Sequence, residues 1–135
     1  MSNIAQYIIV RDDLKMPAGK IASQAAHASI SVFLNRGHFE YNPKGAIGKA
    51  NFIVDVDTAM EEWITKDFTK IVLVGKSESQ LIDLYDHAKL KGYPCSMIRD
   101  NGQTVFDGRI TLTAVAIGPI DKETVKYLVG DLRLL

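Results

Sequence analysis

Three polar side chains, Lys20, Gln24 and His27, interrupt the small and apolar segment KMPAGKIASQAAHASISVFLN (15–35). Residues three and four positions apart lie on the same face of a helix, so the spacing predicts one polar face. An amine, an amide and an imidazole on such a face can polarise a carbonyl group, hold a substrate amide or transfer a proton. This helix is therefore the first candidate for a catalytic surface.

A carboxylate that can complete this chemistry is Asp100, at the end of the predicted strand YPCSMIRD (93–100). Ligands of α/β proteins gather where strands end and helices begin, and Lys20 lies just beyond the first predicted strand. If these two strands are neighbours, Lys20 and Asp100 meet at one edge of the sheet. There the amine can stabilise an oxyanion and the carboxylate can orient water. The same pair also fits an ordinary structural ion pair, which residue types alone favour.

The other polar candidates have ordinary alternatives too. A histidine two turns into an alanine-rich helix, such as His27, is more often packed than catalytic. Gln24 can hold either a substrate amide or a neighbouring loop. Thr111 and Thr113 alternate with apolar residues and are predicted to share one strand face. Their hydroxyls can position substrate, although threonine is also a common strand former.

The segment RGHFEYNPKGAIGK (36–49) mixes basic and aromatic residues. Cations can contact phosphates and aromatic rings can stack on bases, so the segment can hold a single-stranded RNA end. A long surface loop that packs its own aromatic side chains is the alternative.

Strand and helix patterns alternate along the chain and end in a hairpin. QYIIVR (6–11) and KIVLVG (70–75) are typical of buried strands. YPCSMIRD and ITLTAVAIGP (110–119) flank a turn-rich segment and are predicted to pair antiparallel. Helices are predicted over 15–35, over 57–67 with Asp57 as cap, over 77–92 with a Ser77–Gln80 capping box, and over 121–129 with Asp121 as cap. Residues 35–49 are predicted to be loop, and NFIVDV (51–56) a short strand or extended segment.

This order of elements predicts an α/β fold: a three-layer sandwich whose mixed β-sheet of about four strands has helices on both faces. The length of 135 residues suits a single domain over 1–135, with a longer loop inserted around 35–59. Hydrophobic residues make up 47% and the net charge is +0, so any nucleic-acid surface must be a local patch. The single cysteine, Cys95, excludes an internal disulfide and a cysteine-clustered zinc site, and it favours a cytoplasmic protein. The first residues lack the pattern of a signal peptide.

Several segments, in this order, resemble the archaeal and eukaryotic type of peptidyl-tRNA hydrolase. They are RDDLKMPAGKIASQAAHA (11–28), KIVLVGKSESQLIDLYDHAKLKGYP (70–94), MIRDNGQT (97–104), TLTAVAIGP (111–119) and the closing GDLRLL (130–135). The resemblance implies an enzyme that hydrolyses the ester between a peptide and the 3′ end of tRNA. It also implies a mixed α/β sheet, no metal or organic cofactor, and a homodimer.

The resemblance also assigns the candidate residues. Lys20, Gln24 and His27 fall in the G-K-x-x-x-Q-x-x-H pattern, Asp100, Gly102 and Thr104 in D-x-G-x-T, and Thr111 and Thr113 in T-x-T. It implies catalytic roles for Lys20, Asp100, Thr104, Thr111 and Thr113, and substrate contacts for Gln24, His27 and Gly102. Arg11 and Lys15 are expected to add positive charge for tRNA.

Two other functions fit the same residues. One is a non-catalytic module that binds tRNA or protein through the same face. The other is an esterase or amidase for a smaller acylated substrate, with the segment around 35–59 as a lid. An RNA competitor should inhibit a tRNA enzyme and leave a small-molecule hydrolase unaffected.

Overall fold

The computed structural model describes residues 3–41, 49–102 and 106–135 of the chain. The strands are β1 (Ile4–Arg11), β2 (Gly37–Tyr41), β3 (Ala50–Val54), β4 (Lys70–Gly75), β5 (Cys95–Asp100) and β6 (Thr111–Asp121). The helices are α1 (Ala18–Leu34), α2 (Thr58–Thr65), α3 (Glu78–Leu90) and α4 (Lys122–Val129). Among the described residues, no helix is both long and apolar enough to span a membrane.

Four strands form a mixed sheet in the order β4-β1-β6-β5. Strands β1 and β4 are parallel, whereas β6 is antiparallel to both β1 and β5. The carboxyl ends of β1, β4 and β5 therefore lie at the same edge of the sheet as the beginning of β6. Arg11, Gly75, Asp100 and Thr111 meet this edge, and the predicted antiparallel pairing of β5 with β6 is confirmed.

The sequence left open whether the first strand is the neighbour of the strand that ends at Asp100. In the structure, β1 and β5 are not neighbours. Strand β6 lies between β1 and β5. Helix α1 nevertheless brings Lys20 to Asp100, because it leaves the end of β1 and packs against both β6 and β5. Helix α1, which packs across the face of the sheet, therefore brings Lys20 to Asp100 without direct pairing of β1 and β5.

Different helices cover the two faces of the sheet. Successive strand residues point to opposite faces, so Ile8 and Val10 join one apolar cluster and Tyr7 and Ile9 join another. The first cluster is closed by buried residues around α1 and α2 (Met16, Ala28, Val32 and Met60), and the second by α3 and α4 (Leu81, Leu84, Ala88, Val125 and Val129). The predicted three-layer α/β architecture with a mixed sheet of four strands is therefore confirmed.

The predicted helix caps are also confirmed. The side chains of Asp57, Ser77 and Asp121 each accept a hydrogen bond from a backbone N–H of the first turn that follows, at 2.8, 3.1 and 2.9 Å. The side chain of Gln80 reaches back to the N–H of Lys76, at 2.7 Å, one residue before the cap. Local sequence therefore determines where three of the four helices begin.

The segment predicted to be loop over 35–49 contains strand β2, which pairs antiparallel with β3. The glycines and proline of this segment favoured a loop. HFEY, however, alternates polar and aromatic residues, and pairing with β3 supplies its backbone hydrogen bonds. The strand suggested within NFIVDV corresponds to β3. These two strands form a separate sheet.

Candidate active site

The centre of the candidate site is an ion pair between α1 and β5. Lys20 lies in the first turn of α1, and its Nζ donates a hydrogen bond of 2.9 Å to Oδ1 of Asp100, the last residue of β5. Their side chains are only 13% and 12% exposed. An ion pair so shielded from water interacts more strongly than a surface pair, because solvent screens it less.

Gln24 supports this ion pair from the next turn of α1. It is 1% exposed, and its amide nitrogen donates a long hydrogen bond of 3.4 Å to Oδ1 of Asp100. The hydroxyl of Thr113, which is fully buried in β6, donates to Oε1 of Gln24 at 2.5 Å. The oxygen and nitrogen of an amide point in different directions. Because the hydroxyl of Thr113 fixes the oxygen of Gln24, it directs the nitrogen of Gln24 toward the carboxylate of Asp100.

Asp100 also accepts a hydrogen bond of 2.9 Å on Oδ2 from the backbone N–H of Gly102. The hydrogen bond from Lys20 is the largest influence that holds the pKa of Asp100 below its ordinary value of 3.8. Burial works in the opposite direction, and the bonds from Gly102 and Gln24 add to the lowering. Asp100 is therefore a carboxylate at neutral pH, held on both oxygens.

A β-bulge in β6 makes the contact between Thr113 and Gln24 possible. The register between β5 and β6 shifts between Ile98 and Arg99, where Ile98 pairs with Ala114 but Arg99 pairs with Leu112. Leu112 packs in the cluster on the α3 side, while Ala114 packs on the α1 side. Thr113 stands at this extra position and reaches Gln24 of α1.

A tight backbone approach fixes the turn after Asp100. Gly102 has a φ of +81°, and a Cβ built there would lie 2.4 Å from the backbone oxygen of Arg109. Only glycine fits this conformation and this space. The N–H that binds Asp100 is thus held by backbone packing across the β5–β6 connection.

A family model described as Peptidyl-tRNA hydrolase PTH2 matches residues 4–135. The match includes every strand and helix given above, and with them the Lys20–Asp100 site. This chain belongs to that family. The family resemblance inferred from the sequence motifs is confirmed.

Individual members of the family match over almost their whole lengths. The peptidyl-tRNA hydrolase of Methanocaldococcus jannaschii is 38% identical over 128 residues, which cover 95% of this chain and 96% of the relative. That of Methanopyrus kandleri is 36% identical over 130 residues, covering 96% and 97%. That of Staphylothermus marinus is 39% identical over 130 residues, covering 96% and 93%. The similarity to these three hydrolases therefore extends over more than nine tenths of this chain and of each relative.

Two of the residues that the family motifs single out have described hydrogen-bond partners other than the carboxylate of Asp100. His27 is exposed and its ring Nε2 lies 3.4 Å from the hydroxyl of Ser23, one turn back on α1. Thr111 pairs in register with Asp100, but its hydroxyl donates to the backbone oxygen of Arg109 at 3.0 Å. Thr104 lies outside the described residues.

The two basic residues expected to serve tRNA differ from one another. Arg11 is held by a two-pronged contact with Asp13, at 3.0 and 2.7 Å, and it donates to the backbone oxygen of Leu112 at 3.0 Å. The hydrogen bond from Arg11 holds the pKa of Asp13 below its ordinary range. Lys15 is exposed in the loop before α1, with a φ of +53°. Arg11 therefore links the loop after β1 to the backbone of β6, while Lys15 faces solvent.

Sequence reasoning did not single out Phe106, whose ring centroid lies 5.7 Å from Nζ of Lys20. Phe106 is partly buried and packs against the buried apolar cluster on the α1 side of the sheet. An apolar residue in the polar turn NGQTVFDGR was the signal that could have found it. Within the described ranges, no three His, Cys, Asp or Glu side chains are grouped to hold a metal ion.

Proposed function

We propose that this chain hydrolyses the ester bond that joins a peptide to the 3′ end of tRNA, releasing the peptide and free tRNA. The observation that carries the proposal is the shielded Lys20–Asp100 pair, at 2.9 Å, in a member of the peptidyl-tRNA hydrolase family. Ester hydrolysis needs a group that positions water and a cation that stabilises developing negative charge, and this pair supplies both.

In the proposed reaction a water molecule attacks the carbonyl carbon of the ester. A bond forms between the water oxygen and that carbon, and the bond from the carbon to the ribose oxygen then breaks. One proton of the water goes to the departing ribose oxygen, and the other is released with the peptide carboxyl group. No acyl-enzyme is needed, so no serine or cysteine nucleophile is required.

Asp100 acts mainly by orienting the water. A carboxylate has about four lone-pair sites, and three donors are described for Asp100, from Lys20, Gln24 and Gly102. Among the described residues, these three donors leave one lone-pair site to which a water molecule can donate. Because Lys20 lowers the pKa of Asp100, the carboxylate is a weak base, and orientation contributes more than full proton removal.

Lys20 acts as the electrostatic group. Its ammonium is positively charged and lies 2.9 Å from Oδ1 of Asp100. A carbonyl oxygen or a departing ribose oxygen near Nζ gains negative charge in the transition state and is stabilised by the ammonium. Packing of the Phe106 ring near Nζ keeps water from screening that interaction.

The remaining candidates are assigned supporting roles. Thr113 holds Gln24, Gln24 and Gly102 hold Asp100, and Thr111 lies opposite Asp100 at the start of β6 where it can position substrate. Contacts with the tRNA itself are proposed for His27, Lys15 and Arg11. The family motif supports a catalytic role for Thr104.

We also propose that the protein acts in the cytoplasm, where tRNA is charged and used, and that it forms a homodimer. Exposed apolar side chains on neighbouring α1 and α2 support a dimer: Ile30 and Ile64 are 57% and 48% exposed and line one shallow apolar cavity. Sedimentation of the native protein and of Ile64→Lys tests this, since a charge in that surface should favour the monomer.

The test of the function is release of an N-acetylated amino acid from tRNA by the native protein, with and without excess uncharged tRNA. Hydrolysis that uncharged tRNA inhibits supports the proposal. Binding of tRNA without hydrolysis would identify a non-catalytic module. Hydrolysis of small esters that tRNA does not inhibit would identify a small-molecule esterase.

A further inference from the structure

Ser96 of β5 forms a buried hydrogen bond with the backbone of α1. Its hydroxyl donates to the backbone oxygen of Ala28 at 2.7 Å, and the two residues are 1% and 0% exposed. A backbone oxygen has two lone pairs, so Ala28 can accept this bond in addition to the ordinary bond of the helix. Because a hydrogen bond is short and directional, it ties α1 to β5 at a defined point.

Ser96 and Asp100 lie on the same face of β5. Side chains that are an even number of residues apart in a strand point to the same side of the sheet. Ser96 pairs with Ala116, which packs in the apolar cluster on the α1 side. Strand β5 therefore contacts α1 at two points. One is the bond from Ser96 to Ala28. The other is the ion pair of Asp100 with Lys20.

These two contacts have nearly the same spacing on the helix and on the strand. Ala28 follows Lys20 by eight residues, which is about 12 Å along a helix at about 1.5 Å per residue. Asp100 follows Ser96 by four residues, which is about 13 Å along a strand at about 3.3 Å per residue. Helix α1 thus runs antiparallel to β5 and forms both contacts in one position. A displacement by one helical residue would move Lys20 by about 1.5 Å relative to Asp100.

The apolar contacts between α1 and the sheet set this position less sharply. Their cluster includes four alanines, Ala25, Ala28, Ala114 and Ala116. Such small side chains let the helix lie close to the sheet, but they offer few atoms that interlock. The burial of apolar surface is also non-directional, whereas a hydrogen bond between fixed backbones is lost when either backbone moves.

We propose that Ser96 is a positioning residue of the hydrolase site, whose bond to Ala28 holds α1 where Lys20 reaches Asp100. This inference rests on the proposed function, since it gives Ser96 a part in that reaction. Ser96 acts through α1 and does not contact the ester, because it lies about 13 Å from Asp100 along β5. A displacement of about 1 Å in a catalytic group can lower the rate about a hundredfold, so a distant bond that prevents it matters.

A second serine links α1 to a different strand and supplies a matched control. The hydroxyl of Ser29 donates to Oε1 of Gln6 in β1, and Nε2 of Gln6 donates to the backbone oxygen of Ser29 at 3.1 Å. Ser29→Ala removes the first of these bonds and leaves the second, so α1 stays tied to β1. It therefore removes a serine hydroxyl between α1 and the sheet without releasing the helix.

The experiment measures hydrolysis of N-acetyl-aminoacyl-tRNA by the native protein and by three variants under reducing conditions. Ser96→Ala removes the hydroxyl, and Ser96→Cys fills its space with a thiol that is only a weak donor. We expect kcat to fall about tenfold or more in both, with KM unchanged, and to stay at the native value in Ser29→Ala. Native kcat in Ser96→Cys would show that filled space suffices, which overturns the inference. Circular dichroism verifies that the variants are folded.

The pKa of Asp100 reports the position of Lys20 without any substrate. The bond from Lys20 is the largest influence that lowers it, and the backbone N–H of Gly102 and the amide of Gln24 also lower it. Displacement of α1 weakens the bonds from Lys20 and Gln24. The pKa of Asp100 should therefore rise in Ser96→Ala and Ser96→Cys and stay unchanged in Ser29→Ala. Titration of the carboxyl carbon signal of Asp100 by NMR measures it.

Several outcomes would contradict the role of Ser96. Equal losses of kcat in Ser96→Ala and Ser29→Ala overturn the inference, and so does native kcat in both. An unchanged pKa of Asp100 in Ser96→Ala also overturns it, because Lys20 has then not moved. If Ser96→Ala does not fold, Ser96→Cys carries the same comparison. Absence of hydrolysis in the native protein would overturn the proposed function, but the pKa comparison would still decide whether Ser96 positions Lys20.

Discussion

Nζ of Lys20 lies 2.9 Å from Oδ1 of Asp100, and the backbone N–H of Gly102 holds the other carboxylate oxygen at the same distance. The carboxylate is therefore bound from a helix on one side and from its own turn on the other. This arrangement leaves Asp100 little freedom to rotate, and it keeps the ammonium beside the carboxylate that is proposed to orient the attacking water. Pre-organised charges of this kind lower the barrier because they need not reorient during the reaction.

The first prediction concerns the two members of this ion pair. Lys20→Ala and Asp100→Asn should each lower kcat for N-acetyl-aminoacyl-tRNA by about a hundredfold or more, because each removes a charge that the transition state needs. Lys66→Ala is the control, since Lys66 forms an exposed i,i+4 pair with Glu62 at 3.4 Å. Turnover that survives both changes would move the chemistry to other residues.

The second prediction concerns pH. Lys20 lowers the pKa of Asp100 below 3.8 in the folded state. A depressed carboxyl pKa contributes stability that is present above the unfolded-state pKa and is lost as the pH falls through the folded-state pKa. At about pH 6 the native protein should therefore have a larger free energy of unfolding than the Asp100→Asn variant. The difference between the two proteins should be smaller at about pH 3. Urea unfolding at both pH values measures it.

The same shift sets the acid limit of catalysis. Activity of the native protein should persist at pH values below the ordinary aspartate pKa, as long as the fold survives. Lys20→Met removes the hydrogen bond that lowers the pKa, so the acid limb of its residual activity should move to higher pH. If the acid limb of the pH–activity profile is the same in Lys20→Met as in the native protein, a group other than Asp100 controls it.

The third prediction separates two threonines that the sequence treats alike. Thr113→Val removes the donor to the buried oxygen of Gln24, which should cost about 1–3 kcal/mol of stability and lower kcat about tenfold. Thr111→Val removes only a hydroxyl bonded to the nearby backbone oxygen of Arg109, and its effect on stability should stay within about 0.5 kcal/mol. Thermal unfolding and kcat measure both; equal effects would contradict the proposed role of the Thr113–Gln24 contact.

Much of the fold follows from local sequence. The capping residues Asp57, Ser77 and Asp121 determine where helices begin, and continuous β-branched runs identify β1 and β4 as strands. Strand β1 is almost entirely buried, whereas only the last three residues of β4 are buried. The contact between Lys20 and Asp100 was also predictable, because Lys20 lies at the start of a helix and Asp100 at the end of a strand, where ligand sites of α/β proteins form.

Tertiary relationships were less accessible. Strict alternation places Leu112 and Ala114 on one face of β6, whereas the bulge at Thr113 places them on opposite faces. A bulge depends on the register with β5, which local periodicity does not encode. The insertion of β6 between β1 and β5 likewise depends on the whole sheet, and so does the position of Phe106 near Lys20.

The fourth prediction concerns the glycine that supports Asp100. Gly102 and Gly108 have similar positive φ angles of +81° and +76°, but their surroundings differ. A Cβ on Gly102 would lie 2.4 and 2.5 Å from backbone atoms of Arg109, whereas a Cβ on Gly108 would meet nothing within 4 Å. Gly108→Ala should therefore cost only the conformational strain of a left-handed residue, about 1 kcal/mol.

Gly102→Ala should cost more, because the backbone of the turn must also move. That movement displaces the N–H that binds Oδ2 of Asp100, so kcat should fall about tenfold or more while KM for tRNA changes little. Gly108→Ala should retain near-native kcat. Thermal unfolding and single-turnover hydrolysis of both variants test this. If the two substitutions lower kcat equally, the strain of the turn rather than the hydrogen bond from Gly102 controls Asp100.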